Sequence, residues 1–151
     1  MNANFKDVSY KPLRLVAFTV EDLKVISAMT QDAALPSSEM SLDSGKRRFA
    51  MLLNRYRWEV TNSKNVERVQ TILAFEDVKN VKTQNINKAN NNLALWLLNI
   101  SFIAEEDGMG TIEIILAGGG KIRLQVEALE VTLRDVAQPY LAPSRQIPNH
   151  N

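Results

Sequence analysis

The stretch from Thr111 to Val126, TIEIILAGGGKIRLQV, decides the fold. Apolar side chains occupy every second position on both sides of three consecutive glycines, and this alternation is typical of strands with one buried face. A three-residue glycine loop keeps every apolar side chain of the hairpin on one face. The pairs that this loop predicts are Leu116 with Ile122, Ile114 with Leu124, and Ile112 with Val126.

Further strands are predicted on either side of this hairpin. Residues Leu93 to Ile103 alternate, and the predicted core face carries Ala94, Trp96, Leu98, Ile100 and Phe102. Val69 to Glu76 and, more weakly, Val81 to Ile86 also have the composition of strands. Residues 127 to 136 fit either a helix or a strand resumed after a bulge at Glu127 and Ala128, and we favour the strand.

The first part of the chain predicts a short strand, Leu13 to Phe18, followed by an amphipathic helix. Thr19 is a helix-capping residue, with Glu21 and Asp22 in the first turn, where the helix dipole favours negative charge. The helix has one apolar stripe, and Pro36 is expected to end it. The stripe consists of Leu23, Ile26, Met29 and Ala33.

A second hairpin is predicted from Met40 onward. Met40 and Leu42 alternate with polar residues, residues 43–46 have turn composition, and Arg47 to Trp58 forms a long strand. Together these elements predict an α+β fold that is predominantly antiparallel, with a curved or barrel-like sheet and one early amphipathic helix. We expect a single domain over residues 13–138 and a proline-containing C-terminal tail over residues 139–151.

Composition excludes several kinds of chemistry. The 151 residues include no cysteine, which excludes disulfides, thiolate metal sites and cysteine nucleophiles. The single histidine, His150, is one residue from the end, so we predict no metal and no cofactor. The longest apolar stretch, Leu93 to Leu98, is too short to cross a bilayer. Together with a net charge of +1, this favours a cytoplasmic protein without membrane attachment.

The strongest candidate site is a basic and aromatic patch on the predicted strand Arg47–Trp58. Its guanidinium groups suit a phosphate, and its aromatic rings suit stacking on a nucleic-acid base. The favoured alternative is a core strand whose charged ends reach solvent and whose arginines lie over aromatic rings. The candidate residues are Arg47, Arg48, Arg55, Tyr56, Arg57 and Trp58.

Two other motifs carry little functional signal. Gly118 to Lys121 is followed by Ile122 rather than by the Ser or Thr of a phosphate-binding loop. The acidic run Glu105 to Asp107 lacks the alternating oxygen ligands of a calcium loop, so we interpret it as a charged turn. No pair of carboxylates can be nominated for acid–base catalysis from the sequence alone.

Two of these segments resemble a bacterial protein family, domain of unknown function 2948, which is typical of alphaproteobacteria. The matching runs are Arg47 to Glu59 and Ala117 to Glu127, supported by Glu21 to Leu23 and Gln31 to Ala33. The resemblance covers about residues 13–145. Because the family has no known activity, the resemblance implies no catalytic or binding residues.

Three functions therefore stay open. The favoured one is a non-enzymatic binding or interaction module whose partner is another protein or a second copy of the chain. The second is a phosphate or nucleic-acid binder that uses the basic and aromatic patch. The third is a carboxylate-based enzyme of unknown substrate.

Overall fold

A computed structural model describes residues 10–60, 66–87 and 93–141. These residues contain one α-helix, α1 (Val20–Met29), and eleven strands. The strands are β1 (Arg14–Ala17), β2 (Ala34–Pro36), β3 (Met40–Asp43), β4 (Arg48–Tyr56), β5 (Glu67–Phe75), β6 (Val78–Gln84), β7 (Ala94–Ala104), β8 (Gly110–Leu116), β9 (Lys121–Val126), β10 (Val131–Asp135) and β11 (Tyr140–Leu141).

The strands form one antiparallel sheet in the order β1-β10-β5-β4-β2-β7-β8-β9-β6, with β3 also on β4 and β11 on β5. Strand β2 joins the two halves, since Ala34 pairs with Asn54 of β4 and with Trp96 of β7. Within the described residues the sheet is open, and β1 and β6 are its two outer strands. The predicted antiparallel sheet with one early helix is confirmed, whereas closure into a barrel is not observed.

Helix α1 begins as predicted and ends earlier than predicted. The Thr19 side chain accepts a hydrogen bond from the Asp22 amide at 3.1 Å, and Leu23 and Ile26 are buried. The helix stops at Met29. Thr30, which follows it, has a φ of −105° and a ψ of 3°, and Asp32 adopts a φ of 63°, so the backbone is no longer helical there. Pro36, expected to end the helix, lies instead in β2. The Ser27 hydroxyl accepts the Ile100 amide at 3.0 Å, so α1 covers an edge of β7.

The predicted core face of β7 is wrong over its first half. Leu95 and Leu97 are buried, whereas Trp96 is 45% exposed. The pairing of β7 with β8 is interrupted between Leu97 and Asn99 by a bulge, which inserts one extra residue and reverses the alternation. Beyond it, Ile100 is buried as predicted.

The glycine hairpin has the predicted face but a different register. Ile114 pairs with Ile122 and Ile112 with Leu124, two residues away from the predicted pairs. The observed loop is the three-residue turn Ala117–Gly119, which the Leu116 amide closes by donating to the Gly120 carbonyl at 2.8 Å, and Gly118 and Gly119 adopt positive φ angles in it. Because a shift of two residues preserves the face, the apolar side chains of both strands still enter the core.

The remaining strands follow the sequence closely. The hairpin predicted from Met40 onward forms, with Met40 opposite Met51. Residues 131–135 form a strand rather than a helix, but β10 is separated from β9 by a turn and pairs with β1 and β5. The tail predicted over residues 139–151 begins with the short strand β11, and residues 142–151 lie outside the described part of the chain.

Candidate functional site

Strand β4 carries an arginine in the register of the hydrophobic core. Phe49, Met51 and Leu53 point inward as the alternation predicts, and the next inward position is Arg55, whose side chain is 0% exposed. The row of apolar residues on this face therefore continues into a charged group. A buried guanidinium is stable only when its donors are satisfied and its charge is paired.

All five N–H donors of the Arg55 guanidinium are satisfied within the protein. Nε and Nη2 donate to the two carboxylate oxygens of Asp135 at 3.1 and 3.0 Å. Nη1 and Nη2 donate to the two oxygens of Glu59 at 2.9 and 2.8 Å. The fifth donor, on Nη1, reaches the Tyr56 carbonyl at 3.0 Å. Arg55 therefore has no donor left for an external anion.

Asp135, the main partner of Arg55, gathers donors from three further positions. Its carboxylate accepts the Thr71 hydroxyl at 2.8 Å, the Tyr10 hydroxyl at 2.9 Å and the Leu13 amide at 2.8 Å. The contacts bring β4, β5, β10 and the segment before β1 to one carboxylate. We call Arg55, Asp135, Glu59, Thr71 and Tyr10 the Arg55 network.

The Arg55 network holds its charged groups in their ionised forms. Burial alone would raise the pKa of Asp135, but hydrogen bonds from Arg55 and the Leu13 amide lower it below the ordinary value. Burial likewise opposes the ionised form of Glu59, and the hydrogen bonds that Glu59 accepts from Arg55 lower its pKa below the ordinary value. Neither carboxylate can therefore hold a proton near neutral pH, as a general acid must.

The other arginines of the predicted patch are engaged in ion pairs. Arg47 contacts Glu127 at 2.6 Å, and Arg48 contacts Glu76 at 2.8 Å. Arg57 pairs with Glu67 and lies over the Tyr10 ring, 4.9 Å from its centroid.

The two aromatic residues of the patch are also packed within the fold. The rings of Tyr56 and Trp58 are 5.5 Å apart, and the Arg68 guanidinium covers the Tyr56 ring at 4.3 Å. The Trp58 indole donates to the Gln31 carbonyl at 3.0 Å. Arg68 therefore covers one face of the Tyr56 ring, and the Trp58 indole is held in place by its hydrogen bond to Gln31.

The six predicted site residues thus lie in two groups rather than one patch. Arg47 and Arg48 stand at the start of β4, and Arg55 to Trp58 stand at its end, roughly 25 Å away at 3.3 Å per residue. Binding of an anion by this patch needs arginines whose charges are not already paired, and each of the four arginines has an acidic partner. The observed geometry matches the alternative of intramolecular packing more closely.

Sequence reasoning missed Asp135, Thr71 and Tyr10. A signal for two of them was present, because Asp135 continues the inward register of Val131 and Leu133, and Thr71 lies between Val69 and Leu73. A charged or polar residue at a core position on each of three strands indicates a buried polar network. Nothing in the local sequence marks Tyr10.

The strands β1 and β10 carry a different group of arginines on the outer face of the sheet. Arg14 of β1 lies directly opposite Arg134 of β10, and Val16 lies opposite Thr132. Both arginines are exposed. An open groove of about 490 Å³ is lined by residues 14–16 and 132–134. We call it the β1–β10 groove.

The arginines of the β1–β10 groove form the closest kind of cross-strand pair. The Asp135 amide donates to the Leu13 carbonyl, so the odd residues of β1 bond to β10 and Arg14 faces Arg134 in a non-hydrogen-bonded pair. Like charges in direct opposition destabilise a sheet. Within the described residues, neither guanidinium has a hydrogen-bond or ion-pair partner.

The described residues offer little to support other kinds of site. They contain no group of three histidine, aspartate or glutamate side chains arranged to hold a metal ion. Within the same ranges, no helix has the length and apolar character needed to cross a membrane. Glu59 and Asp135, which converge on Arg55, are two carboxylates that share this one guanidinium as their ion-pair partner.

The fold and these two arginine sites define a small α+β domain with an open antiparallel sheet, a buried ionic network and a basic groove on its outer face. The chain belongs to the protein family of unknown function DUF2948, whose model matches residues 13–150. The resemblance noted in the sequence is thereby confirmed. No curated protein and no solved structure matches the chain.

Proposed function

We propose that the protein is a non-enzymatic interaction module that binds a carboxylate-bearing protein partner in the β1–β10 groove. The observation that carries this proposal is the direct opposition of Arg14 and Arg134 with no acidic partner among the described residues. A carboxylate placed between the two guanidinium groups relieves their repulsion and accepts planar, bidentate hydrogen bonds.

The surroundings of the groove favour a protein over a nucleic acid. Val16, beside the arginines, is 47% exposed and offers apolar contact. Nucleic-acid binding draws its affinity from many phosphate contacts, whereas this groove has two cations on a chain with a net charge of +1. The arginines of β4 add none, because their charges are paired with acids.

The test is fluorescence polarisation with a labelled hexaglutamate peptide, comparing wild type with the double variant Arg14→Gln, Arg134→Gln. The control, Lys79→Gln with Lys82→Gln, removes the same charge from exposed positions on β6, at the other edge of the sheet. We expect the arginine variant to bind about tenfold more weakly, with a thermal midpoint at least as high as wild type, because the repulsion is gone.

Equal loss of binding in both double variants would mean that net charge alone attracts the peptide, and it would overturn the proposal. A labelled single-stranded oligonucleotide serves as a second probe. Binding of the oligonucleotide but not of the peptide, lost in the arginine variant, would replace the protein partner with a nucleic acid.

A further inference from the structure

The outer edge of β1 is a second recognition feature beside the groove. Because the odd residues of β1 bond to β10, the N–H and C=O groups of Arg14 and Val16 point away from the sheet. Within the described ranges these groups have no hydrogen-bond partner. An outer strand with unpaired backbone groups is a template for one more strand.

We infer that the partner binds as an extended acidic segment that adds a strand to the outer edge of β1. This inference rests on the proposed function and specifies the form of the ligand. The backbone of the segment pairs with Arg14 and Val16, as in β-strand addition, and an acidic side chain on its outer face reaches the two arginines of the groove.

Charge and alternation together select the occupant. A segment paired with β1 places every second side chain on the outer face, beside Arg14 and Val16. Residues 1–9 contain one acidic and one basic side chain, and residues 142–151 contain no acidic side chain. Neither segment carries the run of acidic side chains that complements two arginines, which points to an acidic segment of another protein.

The opposite edge of the sheet is a poorer template. Strand β6 is irregular between Val78 and Asn80 and carries the exposed lysines Lys79 and Lys82. Bulges and lysines are features that protect a sheet edge from further pairing. Strand β1 has an unbroken register over its four residues with β10.

Amide hydrogen exchange measured by NMR tests the inference on the full chain. The probe is a seven-residue peptide, Thr-Glu-Val-Glu-Val-Glu-Thr, blocked at both ends, at a concentration about tenfold above its Kd. We expect exchange of the Arg14 and Val16 amides to slow by about tenfold by mass action. The Leu15 amide, which already faces β10, is the internal control.

Two changes separate backbone pairing from attraction by charge. N-methylation of alternate amides keeps the carboxylates of the peptide but removes the N–H donors along one of its two hydrogen-bonding edges. Two such peptides, methylated on the two alternate sets of amides, test the two edges separately. The variant Val16→Pro removes an outward donor, which an edge strand tolerates, and Val16→Thr restores it. We expect the peptide methylated on its pairing edge and the Val16→Pro variant each to bind at least about fivefold more weakly.

The outcomes distinguish the two claims. If the peptide binds through Arg14 and Arg134 but methylation on either edge has no effect and no amide is protected, the added strand is refuted while the anion groove stands. If neither the peptide nor hexaglutamate binds, both claims fail together. Protection of Arg14 and Val16 with loss of binding on methylation supports strand addition.

Discussion

Arg55 and Asp135, 80 positions apart in the chain, form a two-point ion pair in which both carboxylate oxygens accept from the same guanidinium at 3.0 and 3.1 Å. Both side chains are excluded from solvent. Because of this pair, the basic end of β4 is part of the protein interior rather than an exposed binding surface. The exposed arginines of the β1–β10 groove, by contrast, have no acidic partner among the described residues.

Removing the guanidinium leaves two carboxylates without their main partner. We expect Arg55→Met to cost about 3–5 kcal/mol in the free energy of unfolding, measured by urea denaturation. The double variant Arg55→Met, Asp135→Leu should be more stable than Arg55→Met alone, because it removes the fully buried one of the two unpaired carboxylates. Additive losses in the double variant would contradict the Arg55 network as a coupled unit.

Stability should fall in acid because of the same network. The pKa values of Asp135 and Glu59 are lower in the folded state than in the unfolded chain, where they are about 3.9 and 4.3. Their stabilisation is therefore complete above about pH 5 and is lost as the pH falls through the folded pKa values. Thermal midpoints measured between pH 2 and 7 report this loss of stability. Glu59→Gln should make the fall of the midpoint in acid less steep. An unchanged fall would argue against the pairing of Glu59 with Arg55.

The bulge in β7 is tested by two neighbouring residues. Leu97 is fully buried, so Leu97→Ala should cost about 2–5 kcal/mol. Trp96, although larger, is 45% exposed, and we expect Trp96→Ala to cost much less. Chemical denaturation of both variants decides between the two registers, since the reverse order of losses would restore the simple alternation.

Gly110 is required by close packing where β8 begins. A Cβ at this position would lie 2.4 Å from the Phe102 ring and 2.5 Å from the Ile103 carbonyl oxygen. We expect Gly110→Ala to cost about 1–3 kcal/mol. Gly45→Ala is the matched control, because the nearest atom to its Cβ is 3.5 Å away. Equal unfolding free energies for the two variants would refute this packing.

Much of the fold was predictable because alternation is a local signal. The inward face of β4 and β5, the cap at Thr19 and the β3–β4 hairpin all follow from residue spacing. The bulge at Leu97–Asn99 was not predictable, because it depends on the partner strand and leaves no distinctive residue in β7. The register of the glycine hairpin depends on loop conformation, which composition alone does not determine.

The candidate site was less predictable than the fold. Arg55 and Asp135 are brought together by the pairing of β4 with β5 and of β5 with β10, which are contacts between distant parts of the chain. Arg14 and Arg134 are unremarkable as single residues and become a site only through the register of β1 on β10. Spacing along a chain carries no information about such opposition.

The central claim is that anions reach Arg14 and Arg134 and not the arginines of β4. The most direct measurement follows the arginine Nε–Hε signals of ¹⁵N-labelled protein by NMR during titration with the hexaglutamate peptide. We predict that the signals of Arg14 and Arg134 move while that of Arg55 stays fixed. Movement of the Arg47, Arg48 and Arg57 signals with none at Arg14 and Arg134 would contradict the account.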